Sequence, residues 1–353
     1  MKFKSLNVLT RVLCLFSFLV VMVISTSVQA APIQMRILYA YPDTTQHGIN
    51  MHYFKALADK YLAGKLEVKL YGNAMICPIS KEPTTVLTGG AEAFYSVTNI
   101  LETLDPAEAI YMIPYLWATG PGNTKHIRKG FASPRIEGVL RERQKKLGLY
   151  RLGSICTAEG FTYFSNPREL KKPEDFKGLR MRHPGGLNGA RMFELLGANP
   201  VMVPGTEVPI ALQSNVVDGL TTTPLHWFDA RWLTKHGTLP YWAAYSLPFM
   251  VNLKWWEKLP ADIRDVIENK IFPETQEFGY KSMEAKSVAT IEKSKNAPFN
   301  VKFYTMTLAE QKRMRDVTQG PGIEAFRKAV GTEVADDMIK AVKELTPPEY
   351  KLD

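Results

Sequence analysis

The sequence contains few of the groups that enzymes and metalloproteins use for chemistry. Its 353 residues include only three cysteines and six histidines. There is no CxxC pair and no HExxH helix, and His47 and His52 lie five residues apart instead of the four that a metal-binding helix requires. The phosphate-binding patterns GxxxxGK[ST] and GxGxxG and the GxSxG of serine hydrolases are also absent. We therefore expect no metal, no cofactor and no catalytic residue.

Long apolar runs are missing too, except at the N-terminus. Residues 12–25 form an uncharged, mostly apolar run that follows Lys2, Lys4 and Arg11. Small residues at Val28 and Ala30 stand where a signal peptidase requires them, so residues 1–30 are predicted to be a cleaved signal peptide. A membrane anchor is the alternative, although fourteen residues fall short of the ~20 that cross a bilayer. Cleavage would leave an exported protein in the periplasm.

Neither sign of charge forms a block. The formal net charge is +9, and without residues 1–30 the chain keeps 41 basic and 35 acidic side chains, interspersed along its length. A nucleic-acid-binding arm is therefore not expected. The two remaining cysteines, Cys77 and Cys156, have no metal-binding or redox spacing; they are interpreted as buried small side chains or, alternatively, as a disulfide.

The remaining sequence alternates between strand and helix patterns. Alternating apolar residues predict strands, for example over 66–70, and helical spacing predicts a helix over 47–62. The alternation starts again after Gly148, which indicates two α/β lobes with mainly parallel sheets. A helical pattern over 259–296 is long enough to span both lobes. Two more helices are predicted after it, separated by Gly320-Pro321-Gly322.

The segment 160–224 carries the strongest functional signal. Arg182 ends a predicted strand, and His183-Pro184-Gly185-Gly186 leads from it into the next helix. Ligands of open α/β sheets bind at the carboxyl ends of strands, beside the following loop and helix. An arginine there, next to bare glycine amides, can bind a carboxylate through two parallel hydrogen bonds. A surface arginine in an ion pair is the alternative interpretation.

A series of short motifs in this segment has the order and spacing of a known family. They are Ser165-Asn166, Pro173-Glu174-Asp175, Lys177-Gly178-Leu179, Arg182, Pro184, Gly197-Ala198-Asn199-Pro200, Glu207-Val208, Ala211-Leu212-Gln213 and Val217-Asp218-Gly219. The series resembles the signature region of solute-binding proteins of tripartite ATP-independent periplasmic (TRAP) transporters, the dicarboxylate-binding family. Weaker similarity covers the rest of the chain.

The resemblance implies an α/β, two-lobe periplasmic binding protein fold with a long helix spanning both lobes. The expected division places residues 31–159 and 248–287 in the first lobe and residues 160–247 and 288–353 in the second. It also implies that Arg182 binds the carboxylate of a small organic acid in the cleft. A TRAP permease in the membrane is the implied partner, and a monomer is expected.

Departures from the family pattern suggest the character of the pocket. Sialic-acid binders of the family have a second arginine where this chain has Phe161, a Glu-Asn pair where it has Thr221-Thr222, and an aromatic residue where it has Gly205. We therefore expect a pocket for a single negative charge, with an apolar wall at Phe161 and neutral hydrogen bonds from Thr221 and Thr222. Phe161 is alternatively a core residue. Trp227, like His226 beside it, either lines the cleft or belongs to a packed helix face.

The sequence therefore predicts a periplasmic protein that captures a small organic acid and delivers it to a TRAP-type permease, without catalysis. Two alternatives stay open on the same fold: a periplasmic enzyme acting on an organic acid, which would need an acid or base in the cleft, and a ligand sensor. The first-lobe contacts are not predicted, because Ala74-Met75-Ile76-Cys77 replaces the family's Gln-Leu-Gly.

Overall fold

A computed structural model describes residues 31–352 except 118, 119, 121, 123, 349 and 350, and the side chains of 156–158 and 187 are outside the description. The predicted signal peptide lies outside the described residues. Strands and helices alternate along the chain, and nine strands of the described residues form one mixed sheet. Their order is β2 (Leu66–Tyr71), β1 (Ile33–Leu38), β3 (Ala93–Tyr95), β8 (His236–Asn252), β4 (Leu149–Ser165), β7 (Gly219–Thr222), β5 (Arg180–His183) and β6 (Asn199–Met202), with β9 (Lys302–Thr305) beside β8.

The first half of the sheet is built by parallel strands that follow one another closely in the sequence. β1 pairs in parallel with both β2 and β3. The elements of this part are β1 (Ile33–Leu38), α1 (Gln46–Tyr61), β2 (Leu66–Tyr71), α2 (Glu82–Leu87), β3 (Ala93–Tyr95), α3 (Thr98–Leu101), a 3-10 segment (Pro106–Met112), α4 (Lys125–Gly130) and α5 (Pro134–Lys146).

The second half repeats this arrangement, with β5 between β6 and β7 and parallel to both. Its elements are β5 (Arg180–His183), α6 (Leu187–Leu195), β6 (Asn199–Met202), α7 (Val208–Gln213), β7 (Gly219–Thr222), α8 (Pro224–Asp229) and β9 (Lys302–Thr305).

Two long antiparallel strands join the halves. β4 (Leu149–Ser165) and β8 (His236–Asn252) run through the whole sheet, and their pairing shifts register between Cys156 and Gly160. In the sequence, residues 149–156 and 160–166 each have a strand pattern, which predicts two separate strands. The structure has one strand, because the shift in register bends the strand without ending it. β8 pairs with β3 of the first half and with β9 of the second, and β4 pairs with β7 of the second half, so the two strands connect the halves.

The predicted long helix is present and contacts both halves. It consists of α10 (Ala261–Val266), a π turn (Ile267–Ile271) and α11 (Phe272–Ser294), so Pro273 falls in the first turn of α11, where a missing N–H costs little. α11 packs on α1 in the first half and on α8 in the second. A short helix, α9 (Leu253–Lys258), precedes it.

The predicted break at Gly320-Pro321-Gly322 is wrong. α12 (Leu308–Val330) continues through these residues and ends at Gly331, whose φ of 94° favours glycine. Packing overrides the local signal: Gln319 donates a hydrogen bond to the Pro114 carbonyl, and Gly322 lies against the Pro114 ring. The last helix, α13 (Thr332–Leu345), packs on α4 and α5, which the expected division places in the first lobe.

A buried ion network fixes the first half. The Arg151 guanidinium binds both oxygens of Glu137, at 2.8 and 3.0 Å, and one oxygen of Glu108, at 2.5 Å. Arg151 and Glu108 are fully buried, and Gln144 donates one further hydrogen bond to Glu108 and Tyr111 one to Glu137. Charges withdrawn from water in this way are tolerated only when they are paired and hydrogen-bonded.

Cys77 is a free, half-buried thiol that accepts a hydrogen bond from Thr85. The Cys156 side chain is outside the description. Of the two sequence-based interpretations, the structure therefore supports the unpaired thiol at Cys77.

Candidate functional site

Arg182 lies at the carboxyl edge of the second half of the sheet. β5 stands between β6 and β7, so the long side chain of Arg182 reaches the backbone at the carboxyl ends of both neighbours. Its Nε donates to the Val203 carbonyl at 2.9 Å and Nη1 donates to the Thr221 carbonyl at 3.4 Å. The guanidinium carbon is 5.2 Å from the centre of the Trp232 ring. These contacts fix the orientation of the guanidinium plane.

The charge of Arg182 has no counterion within the described part of the chain. The residue is 2% exposed, and its two hydrogen bonds go to carbonyl groups, with no carboxylate within ion-pair distance. Burial lowers the pKa of Arg182 to about 10, so the side chain remains charged at neutral pH. Because a buried cation without an anion is costly, the arrangement is suited to a ligand that supplies the anion.

Arg180, two residues earlier, behaves differently. It is exposed, and its guanidinium binds both oxygens of Asp218, at 2.7 and 3.0 Å. The Val-Asp-Gly motif therefore provides the structural partner of Arg180, and the alternative of a surface ion pair applies to Arg180 but not to Arg182.

Aromatic rings connect Arg182 to the first half of the molecule. The His226 ring is 4.8 Å from Trp232 and 5.3 Å from Tyr41, and Tyr41 stacks on His47 at 4.0 Å. Tyr41 and His47 belong to the first half, on and before α1, whereas Trp232 and His226 belong to the second. The contact between them closes the cleft.

The two histidines are neutral. Burial, and then the charge of Arg182, lower the pKa of His226 to about 4, and burial lowers the pKa of His47 well below its usual value. His47 Nε2 is 3.1 Å from the Tyr245 hydroxyl. Arg182 is therefore the positively charged group beside these rings. We refer to Tyr41, His47, His226 and Trp232 as the ring cluster.

The other predicted site residues are distributed between the cleft and the core. Phe161 is buried with its ring edge on Tyr245, at 5.2 Å, which joins it to His47 through the Tyr245 hydroxyl. The Cβ position of Gly205 is 3.7 Å from Trp232, the ring beneath Arg182. Both are close to the ring cluster.

Thr221 and Trp227 lie in the packed interior. The Thr221 hydroxyl donates to the Thr162 carbonyl and accepts from Trp242 Nε1, so it stabilises the sheet. The Thr221 carbonyl accepts a hydrogen bond from Arg182. Trp227 is fully buried and stacks on Phe164 at 4.7 Å, in the packed helix face that the sequence left as an alternative. Thr222 is buried at the end of β7.

Two buried carboxyl groups at the cleft were not predicted. Glu159, in β4, accepts the Leu225 amide at 3.0 Å and lines a narrow cavity with His47, His226 and Tyr245. Glu82, the first residue of α2, is 1% exposed. Burial raises the pKa of each to about 8. Local sequence gives little sign of them, because an isolated Glu in a strand or at a helix start is usually exposed.

These raised pKa values predict lower stability at alkaline pH. A carboxyl whose folded pKa exceeds the unfolded value near 4.5 binds more protons in the folded state, so the free energy of unfolding falls as pH rises from about 4.5 to 8. Each pKa unit corresponds to ~1.4 kcal/mol. Urea unfolding at pH 6.5 and pH 9 should show the decrease, and Glu82→Gln should reduce it. An equal decrease in wild type and Glu82→Gln would contradict the assignment.

The loop after Arg182 also touches the first half. Gly186 has a φ of 80°, and a Cβ there would lie 2.7 Å from an oxygen of Glu102, so only glycine lets the carboxylate approach the start of α6. The Asn188 amide donates to the same carboxylate at 3.4 Å. The cleft is thus closed on two sides, by these contacts and by the ring cluster.

The fold and the site define a class of protein: two α/β halves that meet over a buried, unpaired arginine form a two-lobed solute-binding protein. Residues 39–327 match the family model of bacterial extracellular solute-binding proteins, family 7 (DctP), and the chain belongs to this family.

Individual proteins agree with this assignment. The C4-dicarboxylate-binding periplasmic protein DctP of Rhodobacter capsulatus is 24% identical over 92% of this chain and 94% of its own length. Among solved structures, a TRAP periplasmic solute-binding protein of Shewanella oneidensis with bound succinate aligns with a TM-score of 0.79 and 22% identity, over 88% of this chain and 100% of that one. A solute receptor of Bordetella pertussis that binds pyroglutamic acid has the same TM-score and identity, over 88% of this chain and 99% of that one. The two-lobe α/β prediction and the predicted family are confirmed.

None of the helices within residues 31–352 that the structure describes is long and apolar enough to cross a membrane.

Proposed function

We propose that this protein captures a small organic acid with one carboxylate in the periplasm and delivers it to a TRAP-type permease in the membrane. The observation that carries the proposal is the buried guanidinium of Arg182, held by two carbonyls and without a carboxylate partner in the described chain. A ligand carboxylate would complete its hydrogen bonds, and a charge-assisted hydrogen bond contributes ~1.5–3 kcal/mol. The ligands of the solved relatives, succinate and pyroglutamic acid, are carboxylic acids.

Within this proposal the roles of the site residues differ. Arg182 binds the carboxylate, and Phe161 supplies an apolar wall together with the rings at the cleft. Thr222 offers a neutral hydrogen bond, and Gly205 leaves room beside Trp232. Thr221 acts through its carbonyl, by orienting Arg182. Trp227 supports α8 from the core, behind His226.

Ligand release requires the lobes to separate. The proposed hinge is where β4 and β8 cross between the halves, so that the parts of the chain up to 159 and from 248 to 287 move against 160–247 and 288–331. Because α13 packs on α4 and α5, we place this helix with the first lobe. Opening would break the Tyr41–His226 contact and expose Arg182 to solvent.

Binding without turnover is the result that we expect from ligand screening. A panel of mono- and dicarboxylic, hydroxy and aromatic acids is added to the purified protein, and thermal unfolding is recorded. A bound acid stabilises the folded state by RT ln(1 + [L]/Kd), ~2.7 kcal/mol at a hundredfold excess over Kd. Mass spectrometry of released ligand identifies any acid that is copurified.

The same samples discriminate between the classes of function. Recovery of the unchanged acid after prolonged incubation supports a binding protein, whereas conversion to a product would support an enzyme that uses Glu159 or the histidines of the cleft. No stabilisation by any acid of the panel would overturn the proposal.

A further inference from the structure

The first lobe contains two buried polar side chains, Glu82 and Ser96, that do not belong to any hydrogen-bond network of the described fold. Glu82 and Ser96 are each 1% exposed, and neither oxygen of the Glu82 carboxyl nor the Ser96 hydroxyl has a hydrogen-bond partner within the described chain. Burying a carboxyl and a hydroxyl without partners costs several kcal/mol, and native proteins seldom retain such groups without a reason.

Their position connects the pair with the cleft. Ser96 directly follows β3 and Tyr41 follows β1, so both lie at the carboxyl edge of the first half of the sheet, and Glu82 begins α2 beside them. In open α/β sheets this edge is where ligands bind. Arg182 lies at the corresponding edge of the second half.

Tyr41 interacts electrostatically with both Glu82 and Arg182. Burial is the main cause that raises the pKa of Tyr41 to about 12; a hydrogen bond to Tyr245 and the charge of Arg182 lower it, and the charge of Glu82 raises it. Both Glu82 and Arg182 therefore lie near the same phenol, on opposite walls of the cleft.

Among the described residues, Glu82 has no cationic partner, and Ser96 is the polar side chain that acts on it. No lysine or arginine within the described residues forms an ion pair with it. Burial raises its pKa to about 8, which the nearby Ser96 opposes, so the carboxyl carries its proton at neutral pH. The group thus keeps free hydrogen-bonding capacity in a closed, apolar setting.

We propose that Glu82 and Ser96 form a second polar subsite, which binds a hydrogen-bond donor on the ligand, a hydroxyl or an amine, while Arg182 binds the carboxylate of the same molecule. This inference rests on the proposed function and narrows the ligand class to hydroxy or amino acids with one carboxylate. A dicarboxylate would bring a second charge into this buried subsite, where no second cation balances it.

The test combines ligand and protein changes. Butyrate is compared with 3-hydroxybutyrate, 4-hydroxybutyrate, 4-aminobutyrate and succinate, and phenylacetate with 4-hydroxyphenylacetate, by titration calorimetry. In wild type, at least one donor-bearing acid should bind tenfold or more tightly than its unsubstituted partner, and succinate should not exceed butyrate. In Glu82→Leu the donor-bearing acid should lose this advantage, while the unsubstituted acid keeps its affinity.

Stability separates this role from a structural one. Because the buried carboxyl has no partner, Glu82→Leu and Glu82→Gln should be at least as stable as wild type without ligand. Glu92→Gln is the matched control, since Glu92 is an acid of the same lobe that pairs with Arg36 at 2.6 Å, and its ligand preference should be unchanged.

Three results would overturn the subsite. The first is an equal affinity of donor-bearing and unsubstituted acids in wild type, and the second is an advantage that persists in Glu82→Leu. The third is a destabilised Glu82→Gln with unchanged binding, which would make Glu82 structural. Binding of acids irrespective of a donor leaves the proposed function standing, whereas no binding of any acid overturns both.

Discussion

Arg182→Ala is expected to weaken binding of the preferred acid by roughly thirtyfold or more. The ligand carboxylate would enter a closed cleft. Among the residues that the structure describes, no lysine or arginine other than Arg182 lies at the ring cluster to bind it. Leaving one member of a buried charge pair without its partner costs ~2–5 kcal/mol, and every 1.4 kcal/mol is tenfold in affinity. Titration calorimetry with the acid found in the panel measures the loss.

Two further variants provide the comparisons for Arg182→Ala. Arg182→Lys should recover part of the affinity, because an ammonium keeps the charge but cannot hold two carbonyls and a carboxylate in one plane. Arg180→Ala is the matched control: its guanidinium is exposed and already paired with Asp218, so binding should change little. Equal affinities of wild type and folded Arg182→Ala would make Arg182 a structural residue and remove the main support for a carboxylate ligand.

The stability of the unliganded protein should depend only weakly on Arg182. A buried guanidinium without a counterion is unfavourable for the folded state, so Arg182→Ala should lose less stability than the removal of a paired buried arginine does. Binding sites commonly contain groups that lower the stability of the free protein.

Sequence reasoning located Arg182 because its signal is local. A strand pattern, the terminal arginine and two glycines follow one another within nine residues (178–186), and this order predicts a position at the edge of a sheet. The partners of Arg182 were beyond reach, since the Val203 and Thr221 carbonyls are 21 and 39 residues away in the sequence. Glu82 was not predicted as a site residue for the same reason, because only the folded sheet brings it near Tyr41.

The fold shows the same limit. The helix of residues 261–294 was predicted from its own periodicity, and the parallel strand order follows from alternation. The continuation of α12 through Pro321 was not predictable, because contacts with Pro114, some 200 residues earlier, offset the local preference for a break. Long-range packing decides the cases in which local signals are weak or in conflict.

Arg151→Met is expected to cause the largest loss of stability, ~3–5 kcal/mol in the free energy of unfolding. The substitution keeps the volume of the buried stem but leaves Glu108 and Glu137 side by side without their cation. Burial already raises the pKa of Glu108 to about 7 although Arg151 opposes the rise, and without Arg151 the pKa should rise further. Urea unfolding at pH 7, followed by circular dichroism, measures the effect.

Arg135→Met provides the contrast in the same lobe. Arg135, on α5, pairs with Asp337 and Glu344 of α13, but all three side chains are substantially exposed. Solvent screens such pairs, so the loss should stay within ~1 kcal/mol. The Arg151→Met defect should also be smaller at pH 5, where Glu108 takes up a proton and the repulsion between the two carboxyl groups disappears. A loss that is equal in the two variants, or independent of pH, would mean that the buried charges of the Arg151 network do not determine the stability of the first lobe.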